Sequence, residues 1–333
     1  MKRKSILFIF SNYSSFVEAD DKILSNVYHV RKYTFLLKKG AFNVVISLFK
    51  QLLFLIINFW KFDAVFIWFA DYHAFLPVLF AKLFHKKSFV VIGGHDVNSL
   101  PEFNYGTFNN PIRKFFAKRI FLDATVCFSV AKALEIKLLT LCANARVETV
   151  PTIYDHERFN FEKFERTKTI VTLSTTDSYQ RYMIKGLDRF CDLATHLLEF
   201  KFKIIGITPA AMNLFDPLPP NLELLPPVKH EEMRSQYETA SFYVQLSRSE
   251  GLPNALCEAM LCGCIPIGTD VGDIKDTIEN VGLVVEEWQP ERAATFIKEN
   301  HNNNELRINA RNRIISRFDN KKRITRFQKL FSG

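Results

Sequence analysis

Short apolar runs alternate regularly with longer helical stretches along this 333-residue sequence, and this alternation limits the possible folds more than any other pattern in it. The apolar runs are about five residues long, which suits buried strands better than helices. Strands that alternate with helices in this way are typical of βαβ units, whose strands pair in parallel. We therefore expect an α/β architecture from one end of the chain to the other.

The alternation comes in two series, which predicts two doubly wound, Rossmann-like domains. Apolar periodicity lapses between the two series, over residues 157–168, and the chain is long enough for two domains. We expect domains over 1–155 and 156–306, and a basic helical tail over 307–333 that packs back toward the first domain. Such sheets bind ligands beyond the carboxyl ends of their strands, so we expect the domains to face a central cleft. The predicted strands are Ile6–Phe10, His29–Thr34, Ala64–Phe69, Phe89–Gly93, Thr125–Ser129 and Arg146–Val150, then Ile170–Ser174, Lys203–Gly206, Leu222–Leu225, Phe242–Leu246, Ile265–Gly268 and Leu283–Val285.

The net charge of +9 is unevenly placed along the chain. Residues 1–155 hold 20 Lys and Arg against 11 Asp and Glu, whereas residues 156–333 hold 24 of each. A basic region attracts phosphate groups, which nucleic acids, anionic membranes and phosphorylated substrates all carry. No nucleic-acid-binding motif accompanies the charge, so we expect no nucleic acid partner and favour a membrane surface or a phosphate-bearing substrate. A merely solvated basic face is the alternative.

One segment, Val44–Trp60, is almost entirely apolar and is flanked by Lys38, Lys39 and Lys61. Lys50 lies near its middle, and its uninterrupted apolar length is short for a membrane span. The pattern favours a helix packed inside the first domain. A helix lying on a membrane surface is the alternative, and a true span is the least favoured interpretation.

Several common features are missing from the sequence. The six cysteines show no C-x-x-C spacing, so neither a zinc site nor a disulfide framework is predicted. The first apolar run is short and no cleavage site follows it, which favours a core strand over a signal peptide. Without a signal peptide we expect a cytoplasmic location. No Asp-x-Asp metal motif, phosphate-binding P-loop or G-x-G-x-x-G is present, so no metal or cofactor is expected.

The most specific stretch is Ser247–Met260, in which Glu250 and Glu258 bracket a tight turn. Gly251 and Pro253 suit such a turn, and Asn254 is a good N-cap for a helix that starts near Ala255. The N-terminus of a helix favours a diphosphate, and a carboxylate suits the vicinal hydroxyls of a ribose. These properties place Glu258 near a ribose and Glu250 nearer a sugar. The alternative is a pair of solvated glutamates beside a loop.

This stretch resembles the Glu-x₇-Glu signature of glycosyltransferase family 4, and the resemblance continues through Gly263–Asp273. It implies the GT-B fold, retention of anomeric configuration and no catalytic metal. The second Glu of the family binds ribose, which falls on Glu258. The first, Glu250, approaches the donor sugar with the backbone of Gly251 and Leu252, and Pro253 belongs to the same donor-binding loop.

A second match is Lys185-Gly186, since family members carry a Lys-Gly whose lysine contacts the donor diphosphate. An ammonium at this turn can neutralise the diphosphate as it leaves; the alternative is an exposed surface lysine. The family's Gly-Arg-Leu is replaced by Leu173-Ser174-Thr175. Arg181 is our candidate for the missing second cation, the alternatives being Lys185 acting nearly alone or a cation from the first domain.

The third match is Gly93-Gly94-His95-Asp96, which follows a predicted strand of the first domain. Family members often carry a histidine here that touches the donor sugar, so the resemblance makes His95 a candidate catalytic residue. A polar side chain at this position can orient the sugar ring and support an oxocarbenium-like transition state. Asp96 is expected to cap the loop instead.

The resemblance implies a retaining, metal-independent glycosyltransferase of the bacterial surface-polysaccharide type. In this interpretation residues 156–306 bind a UDP- or GDP-sugar, and residues 1–155 present a lipid-linked or polysaccharide acceptor. The basic first domain suggests peripheral contact with the inner face of the cytoplasmic membrane. One alternative is a catalytically inactive sugar-nucleotide-binding or scaffold protein of the same fold. Another is an exported, two-lobed solute-binding protein, which does not explain the Glu pair.

Overall fold

The computed structural model describes residues 3–36, 40–160 and 166–331. Lys38, Lys39 and part of the charged stretch at 157–168 lie outside the described residues. The chain divides into two compact units, one formed by residues 1–153 with 320–333 and the other by residues 154–319.

The first unit contains a six-stranded sheet in which every neighbouring pair of strands is parallel, in the order β2-β1-β3-β4-β5-β6. The central strands are buried along almost their whole length, as expected for a sheet covered on both faces by helices. The strands are β1 Ser5–Phe10, β2 His29–Thr34, β3 Ala64–Trp68, β4 Lys87–Ile92, β5 Val126–Ser129 and β6 Val147–Thr149. The intervening helices are α1 Ser15–Val27, α2 Ala41–Asn58, α3 Tyr72–Leu83, α4 Pro111–Asp123 and α5 Lys132–Leu141.

The second unit repeats this architecture with a second parallel sheet, in the order β12-β11-β10-β7-β8-β9. Its strands are β7 Thr167–Thr176, β8 Lys201–Ile207, β9 Leu222–Leu225, β10 Ala240–Gln245, β11 Ile265–Thr269 and β12 Leu283–Val285. Its helices are α6 Tyr179–Ile184, α7 Leu187–Thr195, α8 Met233–Tyr237, α9 Asn254–Leu261, α10 Ile274–Ile278, α11 Pro290–Asn300 and α12 Asn304–Arg317. All twelve predicted strands are present, so the doubly wound α/β prediction is confirmed. All six cysteines are free thiols.

The C-terminal residues expected to form one helical tail belong to two different units. Helix α12 lies in the second unit, where the buried Arg307 donates to the carbonyl of Ser241 at 3.0 Å. Helix α13, Asn320–Gln328, lies in the first unit. There Arg323 forms a fully buried ion pair with Asp20 at 2.6 Å. This ion pair with α1 and the apolar contacts of α13 with the sheet fasten the end of the chain to the first unit.

Helix α2 is packed on only one side, which corrects the expectation of a buried helix. Its inward side includes Gln51 and Leu55, and Phe59 follows in the turn after the helix; all three are buried. Phe59 packs against Phe80 of α3, with 5.5 Å between ring centroids. The outward side is exposed because no described element of the first unit covers it. By length and composition alone Phe42–Lys61 could cross a membrane, and 17% of its apolar 18-residue window is buried inside the structure.

Candidate functional site

The turn that carries Lys185 packs directly against the end of β10. Gly186 adopts a left-handed backbone conformation with φ of 65°, and a Cβ atom there would lie 1.9 Å from the carbonyl oxygen of Leu246. Only glycine permits so close an approach. In addition, the backbone N–H of Arg248 donates to the carbonyl of Ile184 at 2.7 Å. Two segments that are about sixty residues apart in sequence therefore become neighbours.

This packing brings two of the predicted site residues into contact, because the Lys185 ammonium forms an ion pair with the Glu250 carboxylate. The same oxygen, Glu250 Oε1, accepts from Gln245 Nε2 at 2.7 Å and from Ser247 Oγ at 3.0 Å. Charge-assisted bonds of this kind are stronger than neutral ones. Three donors from the α6 turn, the end of β10 and the following loop thus fix the position of Glu250.

The loop between β10 and α9 is also held from the side of β11. The Thr269 hydroxyl donates to the carbonyl of Ser247 at 2.6 Å, and the Asp273 N–H donates to the carbonyl of Gly251 at 3.0 Å.

Gly272 has a φ of 60°, and a Cβ atom there would lie 2.5 Å from the carbonyl oxygen of Glu250. The loop is therefore clamped on both sides, and its predicted donor-binding residues Gly251, Leu252 and Pro253 are largely covered by protein.

Helix α9 begins one residue earlier than the sequence suggested. Pro253 occupies the N-cap position and Asn254 is already helical, so the prediction that Asn254 caps the helix is wrong. Its side-chain oxygen instead accepts from the Tyr154 hydroxyl at 2.8 Å, which explains why that oxygen is not used for capping.

Glu258 is consequently the fifth residue of α9, and only 7% of it is exposed. Its Oε1 lies 2.8 Å from His230 Nε2, and the His230 ring packs near the ring of Phe159 with 5.4 Å between centroids. A buried carboxylate requires such a partner. His230 could not be predicted from the sequence because it stands alone, with no motif around it, and only the fold brings it to Glu258.

A second pair that was not predicted from the sequence is Arg248 with Asp188. The guanidinium of Arg248 donates to both carboxylate oxygens of Asp188, at 2.7 and 2.5 Å, and to the carbonyl of Met183 at 2.5 Å. This bidentate geometry is the most directional arrangement open to an arginine and a carboxylate. The pair locks α6 and α7 to the loop that carries Glu250. The only sequence signal for this pair is position, since Asp188 lies close to Lys185 and Arg248 lies close to Glu250.

The structure does not bring Arg181 into this cluster. The side chain is 55% exposed, and its Nε lies 3.6 Å from Asp177 Oδ1, so its ion pair is with a neighbour on its own segment. A surface pair of this kind contributes little to stability, which leaves the guanidinium available to other partners.

His95, the candidate in the first unit, follows the carboxyl end of β4 in a tight loop. Its Nδ1 lies 3.3 Å from the Thr107 hydroxyl, and its ring meets the edge of Tyr105 with 4.9 Å between centroids. The neighbouring Asp96 is buried and accepts from the backbone N–H of Gly94 at 2.8 Å, as its expected loop-capping role requires. Burial raises the pKa of Asp96 to about 6.

Residues 168–303 match a family model described as "Glycosyl transferases group 1". The matched residues include Lys185, Glu250 and Glu258. The match supports a glycosyltransferase. It covers less than half of the chain, and a search of curated proteins found no match.

Solved structures resemble the whole chain. A sucrose-phosphate synthase from Thermosynechococcus elongatus aligns with a TM-score of 0.82 and 14% identity over 99% of this chain and 98% of that one. A glycosyltransferase from Rickettsia africae aligns with a TM-score of 0.71 and 12% identity over the full length of both chains. Anabaena HepE, solved with UDP-glucose, aligns with a TM-score of 0.70 and 12% identity over 98% of this chain and 99% of that one. Together with the two six-stranded parallel sheets, these likenesses show a two-domain α/β fold of the GT-B type.

Proposed function

We propose that this protein is a retaining, metal-independent glycosyltransferase that moves a sugar from a UDP- or GDP-sugar onto a lipid-linked or polysaccharide acceptor. The observation that carries the proposal is the meeting of Lys185 and Glu250 beside the start of α9, inside the residues that match the family model. Anabaena HepE, which shares the fold, is described in complex with UDP-glucose, and this supports a uridine nucleotide as the first donor to test.

In this proposal Lys185 stabilises the negative charge of the departing diphosphate. An ammonium has three N–H donors, so Lys185 can contact a phosphate oxygen while it remains bonded to Glu250. Its side chain is 32% exposed, which leaves it accessible to a ligand. A fixed cation at the leaving group lowers the barrier in the way that a metal ion would. Arg181 is proposed as the additional cation and His95 as a contact to the donor sugar, as the family resemblance implies.

Glu250 is proposed to hold the donor sugar. Its Oε1 is committed to three donors, whereas its Oε2 makes no hydrogen bond to any residue that the structure describes. A carboxylate fixed through one oxygen presents the other in a defined direction, which suits recognition of a sugar hydroxyl. The backbone at Gly251 and Leu252 and the ring of Pro253 would complete the donor loop.

Glu258 is proposed to bind the ribose, and its replacement tests that role. Glu258→Ala should weaken nucleoside-diphosphate binding by about 1.5–3 kcal/mol, the scale of a hydrogen bond to a charged group. Isothermal titration calorimetry with UDP and GDP measures the change. The matched control is Glu231→Ala, which removes an exposed carboxylate from the same unit and should leave binding unchanged. Equal affinities for wild type and Glu258→Ala would remove Glu258 from the ribose site.

The acceptor and the location are proposed from charge. The first unit holds 25 Lys and Arg against 10 Asp and Glu, whereas the second holds 19 against 25. A basic acceptor unit suits a phosphate-bearing, lipid-linked acceptor at an anionic membrane surface. We therefore propose a cytoplasmic protein that contacts the inner face of the cytoplasmic membrane.

The decisive experiment asks whether the purified protein turns over a nucleotide-sugar. UDP, GDP and their sugars should first be screened for thermal stabilisation, because a ligand that binds only the folded form raises its apparent stability. The stabilising sugar nucleotide should then be transferred or hydrolysed, with unchanged rate in EDTA and retained anomeric configuration by NMR. Binding without any turnover would instead identify a sugar-nucleotide-binding or scaffold protein.

A further inference from the structure

A basic cavity of about 570 Å³ lies in the first unit at the amino ends of β1, β3 and β4. The proposed contact of His95 with the sugar is at the opposite, carboxyl edge of the same sheet, so this cavity is not part of the transfer site. Asp63 is the only acidic residue among the lining residues that the structure describes. The cationic lining residues are Arg3, Lys4, Lys61, Lys86 and Lys87.

Most of these cations are held by neutral groups. Arg3 donates to the carbonyl of Val27 at 2.7 Å, and Lys61 donates to the side-chain oxygen of Asn58 at 3.0 Å. Lys86 donates to main-chain carbonyls just beyond the end of α2. These acceptors position the cations without cancelling their charge.

Asp63 lies 3.2 Å from Lys4 and also attracts Lys86 electrostatically. Lys87 lies 3.4 Å from the carbonyl oxygen of Leu330. The cavity therefore gathers five cations around one carboxylate, and its field favours an anion such as a phosphate group.

The cavity adjoins an exposed apolar strip along α2 and the turn that follows it. The exposed residues recur at spacings of three and four, which places them on one side of the helix. At 1.5 Å per residue the strip is about 27 Å long. Trp60, at its end, also lines the cavity, so the apolar and basic surfaces are continuous. We call this strip the α2 stripe; it consists of Phe42, Val45, Ile46, Phe49, Leu53, Ile56, Ile57 and Trp60.

The partner of this surface must offer hydrocarbon and phosphate side by side. An anionic bilayer does so, and a helix with an apolar face flanked by cations lies in the plane of such a bilayer. Lys50 and Lys61 are exposed beside the α2 stripe and supply such cations. A nucleic acid offers phosphate without hydrocarbon. A second copy of the chain would bring two strongly basic units together, which like-charge repulsion opposes.

We propose that the α2 stripe and the basic cavity form one docking surface for an anionic phospholipid bilayer. The α2 stripe enters the boundary between headgroups and acyl chains, and the cavity receives the phosphate of one headgroup. The inference rests on the membrane contact in the proposed function and assigns it to particular residues.

The apolar part is tested by vesicle co-sedimentation. The double variant Phe49→Ser with Ile57→Ser should bind vesicles of phosphatidylcholine with phosphatidylglycerol at least about tenfold more weakly than wild type, because two large apolar side chains no longer enter the membrane. The matched control is Ile136→Ser with Leu198→Ser. These residues are exposed by 58% and 63%, against 59% and 66% for the targets, and they lie outside the α2 stripe. The control should bind as wild type does.

The basic part is tested by charge reversal at the cavity. Lys61→Glu should weaken binding to the same vesicles by about fivefold or more, and added salt should shrink the difference. Lys22→Glu changes the charge of the same unit equally, on an exposed part of α1, and should change binding less than twofold. Wild type should bind pure phosphatidylcholine vesicles much more weakly than the anionic ones.

Two further measurements separate the alternatives. One outcome would identify the surface as an interface between copies of the chain and overturn the proposal. In that outcome wild type does not bind anionic vesicles and is a dimer in sedimentation equilibrium, whereas the α2-stripe variant is a monomer. Equal vesicle binding by wild type, Lys61→Glu and the α2-stripe variant would overturn it as well. Turnover with a soluble acceptor is measured in parallel. Vesicle binding without turnover refutes the proposed transfer reaction but not the docking surface.

Discussion

Lys185→Ala is expected to slow sugar transfer by about 10²–10³-fold, the usual cost of removing one electrostatic stabiliser from an active site. The loss should appear mainly in kcat, because charge builds up on the diphosphate as the bond to the sugar breaks. The fold should survive, since Glu250 keeps its bonds to Gln245 and Ser247 and the Lys185 side chain is partly exposed. Steady-state kinetics with the stabilising nucleotide-sugar measure kcat, and the melting temperature shows whether the fold is intact.

Lys201→Ala is the matched control for this experiment. Lys201 is a surface lysine of the same unit, paired with Glu223 at 2.7 Å, and its removal should leave kcat unchanged. Because Lys185 and Glu250 are in direct contact, the effects of Lys185→Ala and Glu250→Ala should not add in the double variant. Turnover by Lys185→Ala equal to that of wild type would take the leaving-group role away from Lys185.

Arg323→Ala is expected to destabilise the protein by about 3–5 kcal/mol, the cost of removing one partner from a buried ion pair. Arg323 and Asp20 are each 1% exposed, so the remaining carboxylate would be left without water or a cation. Trp68 Nε1, which donates to Asp20 at 2.9 Å, compensates only in part. Urea denaturation followed by circular dichroism measures the loss.

The pH dependence of the same variant gives an independent check. Burial raises the pKa of Asp20, and Arg323 opposes that rise. Without Arg323 the carboxyl should take up a proton more readily, so the deficit should be larger at pH 8 than at pH 5. Lys322→Ala removes an exposed cation from the same helix and should cost less than about 1 kcal/mol at either pH. A similarly small effect of Arg323→Ala would show that the other contacts of α13, among them the Arg326–Glu148 ion pair, are enough to hold the helix.

Part of the candidate site could be predicted because several of its residues lie in short, recognisable motifs. Glu250 and Glu258 lie eight residues apart on one loop and helix, and Lys185 is marked by the glycine that follows it. Their partners carry no such mark. Gln245 occurs as one residue of an apolar strand and His230 stands in a polar loop, so only the fold reveals that they contact Glu250 and Glu258.

The exposure of helix α2 could not be predicted from the sequence. Its apolar character is evident from the sequence, yet a core helix and a surface helix can have the same composition. Exposure depends on what packs beside a helix, and the first unit covers only the side of α2 that carries Gln51 and Leu55.

The twelve strands, their parallel pairing and the motif formed by Glu250 and Glu258 could all be predicted from the sequence. These features depend on local periodicity and turn chemistry, which act over a few residues. The folded structure was needed to show that Lys185 contacts Glu250, that Arg323 pairs with Asp20 some three hundred residues away, and that the α2 stripe stays uncovered. Such contacts depend on how distant segments pack, which no short stretch of sequence encodes.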